Sequence, residues 1–191
     1  MEASDALPSR EHVRIRTEGG DGVSSIFAVH VSLARQCRLL DAVLDNANLQ
    51  TPTDSTVGDI SVAIPDCTSK AVESVLSYLE LTTIRIPSII SRPLKGPIEE
   101  VTQPWEVEFV RSHGLENGDF SAHAKLLEIM KVADFLVVDS LKDLCCAYVA
   151  STVLSCTTQD ELMAKLGMAR PATENELSEV YEMYPFLRGS E

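Results

Sequence analysis

The sequence has little that would support secretion, membrane insertion or binding to nucleic acid. Its first ten residues, MEASDALPSR, contain no apolar core of a signal peptide, and no stretch approaches the roughly 18 uninterrupted apolar residues of a membrane span. Lys and Arg total 16 against 29 Asp and Glu, and the resulting net charge of −13 repels phosphate backbones. We therefore expect a soluble, intracellular protein that binds neither membranes nor nucleic acid.

The five cysteines lack the spacing of a disulfide framework or of a zinc site. Their number is odd, no C-x-x-C occurs, and His113 and His123 fall in no zinc pattern. The adjacent pair Cys145 and Cys146 lies in a helical pattern, where neighbouring side chains point about 100° apart and cannot both face one ion. Cys145 falls on an apolar stripe and is expected to pack as a small apolar residue. The prediction is free thiols and no metal.

Motifs of catalysis and nucleotide binding are also missing. G-x-S-x-G, H-E-x-x-H and G-x-x-x-x-G-K-[ST] do not occur. The glycines at positions 19, 20 and 22 lack the spacing of a phosphate loop and are better explained as the turn of a hairpin. We predict no catalytic residue, no cofactor and no enzyme, with a thiol-dependent enzyme that uses Cys145 or Cys146 as the remote alternative.

What the chain does have is apolar periodicity of two kinds. With 45% hydrophobic residues in 191, it can build a substantial core. Val13 and Ile15 alternate with arginines before the glycine turn, and Val62 and Ile64 alternate further on, which predicts a hairpin and a third strand. Residues 32–47 and 67–80 have apolar residues at three- and four-residue spacing, which predicts two helices.

Residues 82–104 break both patterns. Four of the nine prolines lie here and exclude a long helix, yet the segment also holds seven aliphatic residues. Packing on its own domain and docking of a partner are both open. Because so many aliphatic side chains are costly to leave in water, at roughly 1.5–3 kcal/mol for each large one, we predict that much of the segment is covered by one or the other.

Four helical segments follow, and three of them begin with a capping signal. Ser140 with Asp143, Thr158 with Glu161, and Thr173 with Glu176 have the spacing of a capping box, and Thr158 with Glu161 fits it better than Ser140 with Asp143. The final two helices are short, and short helices are marginal without a surface to pack on. They either fold back onto the domain or form a groove for the helices of another protein.

The order of these segments and their local sequence resemble the Skp family, the S-phase-kinase-associated adaptors of cullin–F-box ubiquitin ligases. VRIRTEGGDGVSSIFAVHVSLARQCRLLDAVLD is similar to the family's opening hairpin and helices, and ISVAIPDCTSKAVESVLSYLE to its third strand and following helix. PWEVEFV resembles its tryptophan segment, and LLEIMKVADFLVVDSLKDLCCAYVAS its central signature. TTQDELMAKLGM and TENELSEV resemble the two C-terminal helices that receive the F-box.

The resemblance implies an α+β fold with a BTB/POZ-like small sheet flanked by helices, followed by a two-helix, F-box-binding extension. By this interpretation residues 1–10 form a flexible N-terminus, residues 11–155 form the BTB/POZ-like domain with the Pro-rich apolar insertion at 82–104, and residues 156–187 form the helical extension. Carried over by position, the family's cullin-facing pair falls on Asp134 and Phe135. The F-box-facing positions implied in the same way are Val149, Val153, Leu162, Leu166, Met168, Leu177, Val180 and Tyr181.

The function that the resemblance implies is that of an adaptor subunit, which bridges a cullin to F-box proteins in the cytoplasm or nucleus. Asp134 stands where the family has Asn, and residues 82–104 are apolar where the family is acidic. These departures motivate the alternative of an F-box partner in a non-ligase structural or kinetochore-type complex. A weak homodimer of the unbound chain is a further open alternative.

Overall fold

A computed structural model describes residues 12–18, 24–50, 60–113, 120–165 and 172–185, with side chains omitted at residues 47–50 and 120–123. The predicted flexible N-terminus, residues 1–10, and the predicted glycine turn lie outside these ranges. The elements, in chain order, are β1 (His12–Glu18), β2 (Ile26–His30), α1 (Val31–Ala34), α2 (Arg38–Gln50), β3 (Ser61–Pro65), α3 (Ser69–Ile84), α4 (Ile98–Val101), α5 (Pro104–His113), α6 (Phe120–Leu136), α7 (Asp139–Leu154), α8 (Gln159–Lys165) and α9 (Glu174–Met183).

The strands form one three-stranded sheet in the order β2-β1-β3. β1 pairs antiparallel with β2, with Val13 opposite Val29, and parallel with β3, with Ile15 opposite Val62. The alternation that predicts strand β1 is seen in the structure. Val13 and Ile15 are buried, Arg14 between them is half-buried, and Arg16 is exposed. The α+β class with a small sheet is therefore confirmed.

One core joins the sheet to the longest helices. β1 supplies Val13 and Ile15, and α3 packs against α6, which packs against α7. The apolar stripes predicted on these helices are the faces that fill the core, which includes Val75, Leu126 and Leu144. No helix within the described part of the chain is both long and apolar enough to cross a membrane.

The single helix predicted over residues 32–47 is two helices in the structure. α1 ends at Ala34, a turn follows, and α2 begins at Arg38. Ala34 and Cys37 are both fully buried across this break. Three-residue spacing of buried positions is also what a continuous helix would give, so apolar periodicity could not reveal the turn.

The corner between α6 and α7 is tight and unusual. The N–H of Val138 donates to the carbonyl of Ala133 at 2.8 Å, and the N–H of Val137 to that of Asp134 at 3.1 Å, which is the pattern of a Schellman cap. Val137 takes the left-handed position with φ of 58°, which disfavours a β-branched residue. The turn reverses the chain so that α7 packs back on α6.

The predicted capping box at Ser140 and Asp143 is wrong. α7 begins one residue before Ser140, its N-cap is Val138, and Asp143 instead forms an ion pair with Arg92. The physical reason is the Schellman turn, which sets the start of α7 without help from a side chain. Asp143 is left to hold the Pro-rich segment against the helix.

Candidate functional site

The second half of α7 turns from the core to the surface. Leu141, Leu144 and Tyr148 are buried, but Val149 is half-buried and Val153 is 36% exposed. Leu154, which sequence reasoning missed, is 66% exposed. Its position beside Val153 at the helix end was the available signal. The exposed apolar end of α7 is therefore the first part of a candidate contact surface.

α8 follows directly and carries the half-buried Leu162, while none of its seven residues is fully buried. Its start is held by polar contacts. The N–H of Glu161 donates to Thr158 Oγ1 at 3.2 Å, and the Glu161 carboxylate accepts from the N–H of Thr157 at 2.8 Å. The capping box predicted from Thr158 and Glu161 is thus present in part, because the Glu161 carboxylate accepts from the N–H of Thr157, one residue before Thr158. The Thr157 contacts, first that of its backbone, lower the pKa of Glu161.

α9 begins with the predicted capping box in full, because Thr173 and Glu176 each accept from the backbone N–H of the other. None of the ten residues of α9 is buried. Leu177 and Val180 are each 37% exposed and Tyr181 is half-buried, so the predicted apolar stripe is a surface feature. Met183, one turn beyond Val180, is 66% exposed and extends the stripe, which its spacing could have shown.

The described residues thus bring part of the predicted F-box-facing set to the surface. We call the exposed and half-buried apolar side chains at the end of α7 and on α8 and α9 the C-terminal apolar surface. Leu166 and Met168 lie outside the described residues. Of the predicted members, Val153, Leu177 and Val180 are exposed, Leu162 and Tyr181 are half-buried, and Val149 is half-buried and packs against the core.

The predicted cullin-facing pair lies at the end of α6, away from α8 and α9 in sequence. Phe135 is 38% exposed, and Asp134 accepts from the Lys142 ammonium at 2.8 Å. Leu127, two turns before Phe135, is 45% exposed on the same side of the helix and was not predicted. The spacing of eight residues was its signal. Leu127, Asp134 and Phe135 define the α6 face.

The cysteine pair divides between interior and surface. Cys145 is fully buried, and burial raises the pKa of its thiol to about 12. Cys146 is exposed, and its Sγ lies 3.6 Å from the Sδ of Met130. Within the described residues, no three His, Cys, Asp or Glu side chains are grouped to hold a metal ion. The geometry of Cys145 suits packing rather than nucleophilic chemistry.

Residues 82–104 are partly packed and partly exposed. Ile98 is buried, and Ile90 and Leu94 pack on the core. Ile86 and Ile89, in contrast, are 87% and 99% exposed. Packing on its own domain therefore accounts for Ile90, Leu94 and Ile98 but not for Ile86 and Ile89.

A buried carboxylate ties this segment down. Glu106, 1% exposed in the first turn of α5, accepts from the N–H of Ser88 at 3.0 Å and from the N–H of Gln103 at 2.9 Å. The Ser88 hydroxyl also donates to it. This arrangement satisfies the buried charge with donors from the segment, at a helix N-terminus that favours an anion.

Comparison with known proteins gives a distant relationship. The chain is 24% identical over 160 residues to the S-phase kinase-associated protein 1 homolog of Tetrahymena thermophila, and the alignment covers 83% of this chain and 86% of that protein. A scan against protein-family models found no match. The similarity supports a distant relationship to the Skp family, and the α+β fold with its small sheet is consistent with one.

Proposed function

We propose that this protein is a non-enzymatic adaptor of a cullin–F-box ubiquitin ligase. The observation that carries the proposal is that α8 and α9 contain no buried residue yet present apolar side chains. Helices this short are marginal on their own, and a partner surface would stabilise them. The distant similarity to a Skp homolog supports the same assignment.

In this proposal the unit with the sheet is a BTB/POZ-like domain, and the C-terminal apolar surface binds the F-box of a substrate receptor. The α6 face, with Asp134 and Phe135, binds the helices of a cullin. Catalysis is left to other subunits, and this chain holds the receptor at a fixed angle to the catalytic arm. Such an assembly belongs in the cytoplasm or nucleus.

Affinity purification of the full chain tests the assembly. We expect recovery of a cullin together with proteins that carry an F-box. Recovery of F-box proteins with no cullin would reject the ligase version. It would favour the second candidate, an F-box partner in a non-ligase structural or kinetochore-type complex, which the sequence departures at Asp134 and at residues 82–104 motivate.

A double variant tests the surface. Val153→Asp with Leu177→Asp places two carboxylates where apolar side chains would be buried on binding, and we expect the affinity for an F-box protein to fall at least about tenfold. Both positions are more than a third exposed in the free chain, so circular dichroism should show a folded protein. The control is Ile26→Asp, which places a carboxylate at a 64% exposed position on β2. A double variant that binds as tightly as Ile26→Asp would contradict the assignment of this surface.

A further inference from the structure

A cleft of about 550 Å³ opens where the segment before α4, the last turn of α7 and the end of α8 meet. Ser151 of α7 links two of its walls, because its hydroxyl accepts from the N–H of Ile98 at 3.1 Å. The volume is in the range of sites that hold a small ligand or a few peptide side chains. The cleft lies outside the set of residues that the family resemblance implies.

The lining of the cleft is positively charged. It contains three cations, Lys95, Arg111 and Lys165, and one carboxylate, Glu99. Arg111 donates to Glu99 at 2.5 Å, which neutralises that pair. Glu100 borders the cleft, with a carboxylate oxygen 3.1 Å from the position that a Cβ on Gly96 would take. Even counting Glu100, positive charge is in excess here, in a chain whose net charge is −13.

Two of these cations are available to a ligand. Lys95 has no ion-pair partner among the described residues. The Lys165 ammonium donates to Ser155 Oγ at 2.8 Å, and its charge also helps to lower the pKa of Glu161 one turn earlier on α8, although the two side chains form no ion pair. Ammonium groups that converge on a cleft bind carboxylate or phosphoryl oxygens through charge-assisted hydrogen bonds.

The cleft is continuous with the C-terminal apolar surface. Leu154 lines the cleft and is also exposed beside Val153. Lys165 ends α8, the helix that carries Leu162. A polypeptide that lies on the apolar side chains of α7 and α8 would therefore reach the cations with its next residues.

We propose that this cleft binds an acidic group, either a side-chain carboxylate or a phosphorylated side chain, of the polypeptide that occupies the C-terminal apolar surface. The identity of the occupant rests on the proposed function, whereas the preference for an anion rests on the lining of the cleft. The cleft would add an electrostatic contact to an otherwise apolar interface and so contribute to the choice among partners.

The anion preference is tested without any partner, by amide NMR of the full chain titrated with O-phosphoserine and, separately, with N-acetylglutamate. We expect shifts at Lys95, Gly96, Ser155 and Lys165, and their loss in Lys95→Glu with Lys165→Glu. A larger response to phosphoserine identifies a phosphoryl group as the preferred ligand, and an equal response shows that a carboxylate is sufficient. No shift in the wild type, or shifts that persist in the variant, would overturn the proposal.

The matched control carries the same change of charge at exposed lysines outside the cleft, Lys70→Glu with Lys125→Glu. With a purified F-box protein, we expect the cleft variant to bind about tenfold or more weakly than this control at about 50 mM salt, and the difference to shrink at about 300 mM. Equal binding by the two variants would overturn the proposal. If the wild type binds no F-box protein, the proposed function fails, while the NMR titration still decides the anion preference.

Discussion

At the scale of single residues, we expect removal of the buried Glu106 carboxylate to lower the unfolding free energy. Glu106→Ala would leave the N–H of Ser88 without its acceptor and the N–H of Gln103 with only the Ser88 hydroxyl, at about 1–3 kcal/mol of unfolding free energy. Glu106→Gln retains one acceptor oxygen and should cost less. Urea denaturation measures both, with Glu108→Ala, exposed on the same helix, as the control. Equal destabilisation by Glu106→Ala and Glu108→Ala would contradict the account of this contact.

The thiols give a second prediction at this scale. Burial raises the pKa values of Cys37 and Cys145 to about 12, so both thiols are protonated at pH 8, and both are shielded from solvent. We expect a disulfide reagent to modify the exposed Cys146 first in the native protein, and Cys37 and Cys145 only after unfolding.

The rapid modification of the native protein by the reagent should be absent in Cys146→Ser and retained in Cys145→Ser. If Cys145→Ser removes the rapid modification, Cys145 is accessible to the reagent, and this result would support the alternative of a thiol-dependent enzyme. If the double variant Cys145→Ser with Cys146→Ser folds and keeps all partner binding, neither thiol is needed for the proposed function.

At the scale of elements, the start of α8 should depend on pH. The folded-state pKa of Glu161 lies below its ordinary value of 4.5, so its contribution to the helix is fully present above pH 4.5 and is lost as the pH falls through the lower, folded value. We expect the amides of Thr157 and Glu161 to show this change in NMR spectra, with a midpoint below 4.5. Glu161→Gln is the control and should remove the transition. A midpoint at or above 4.5, or an unchanged transition in the variant, would be evidence against this contact.

Periodicity and capping signals predicted most of these elements, and their failures have physical causes. The box at Thr173 is readable because both partners are side chains three residues apart. The start of α7 cannot be read from side chains, because the backbone hydrogen bonds of the preceding Schellman turn fix the N-cap at Val138. The break before α2 is hidden because buried positions on either side keep helical spacing.

The sequence predicted only part of the candidate site. The apolar stripe of α9 follows from spacing, but spacing alone cannot tell whether Leu177 and Val180 pack on their own domain or remain exposed. The structure answers that for the described residues, with both side chains more than a third exposed. The cationic cleft was invisible, because Lys95, Arg111 and Lys165 come from three distant parts of the chain and meet only in the fold.

At the scale of the whole molecule, the core and the candidate surfaces draw on different residues. The buried cluster is built from the sheet and from helices up to α7, and it includes no described residue of α8 or α9. The α6 face lies on a helix whose opposite side fills that core, with Leu126 and Val132 buried beside the exposed Leu127 and Phe135. Changes to either exposed surface should therefore affect binding more than folding.

This separation gives a reciprocal prediction for the assembly. Leu127→Asp with Phe135→Asp should weaken cullin binding at least about tenfold, because both side chains leave water when the α6 face is covered, and it should leave F-box binding unchanged. Val153→Asp with Leu177→Asp should do the reverse. Titration calorimetry with each purified partner measures the four affinities, and thermal unfolding monitors the fold.

Ile26→Asp, at a 64% exposed position on β2, is the control for a charge placed on an exposed apolar side chain. Because the proposed adaptor uses two surfaces on separate elements, the two double variants mixed together should not restore a complex that contains both partners, since each chain lacks one surface. Loss of both partners from a folded single-surface variant would show that the surfaces are not independent. The mechanism in which the chain holds its partners at a fixed angle would then be wrong, and binding of one partner would alter the site of the other.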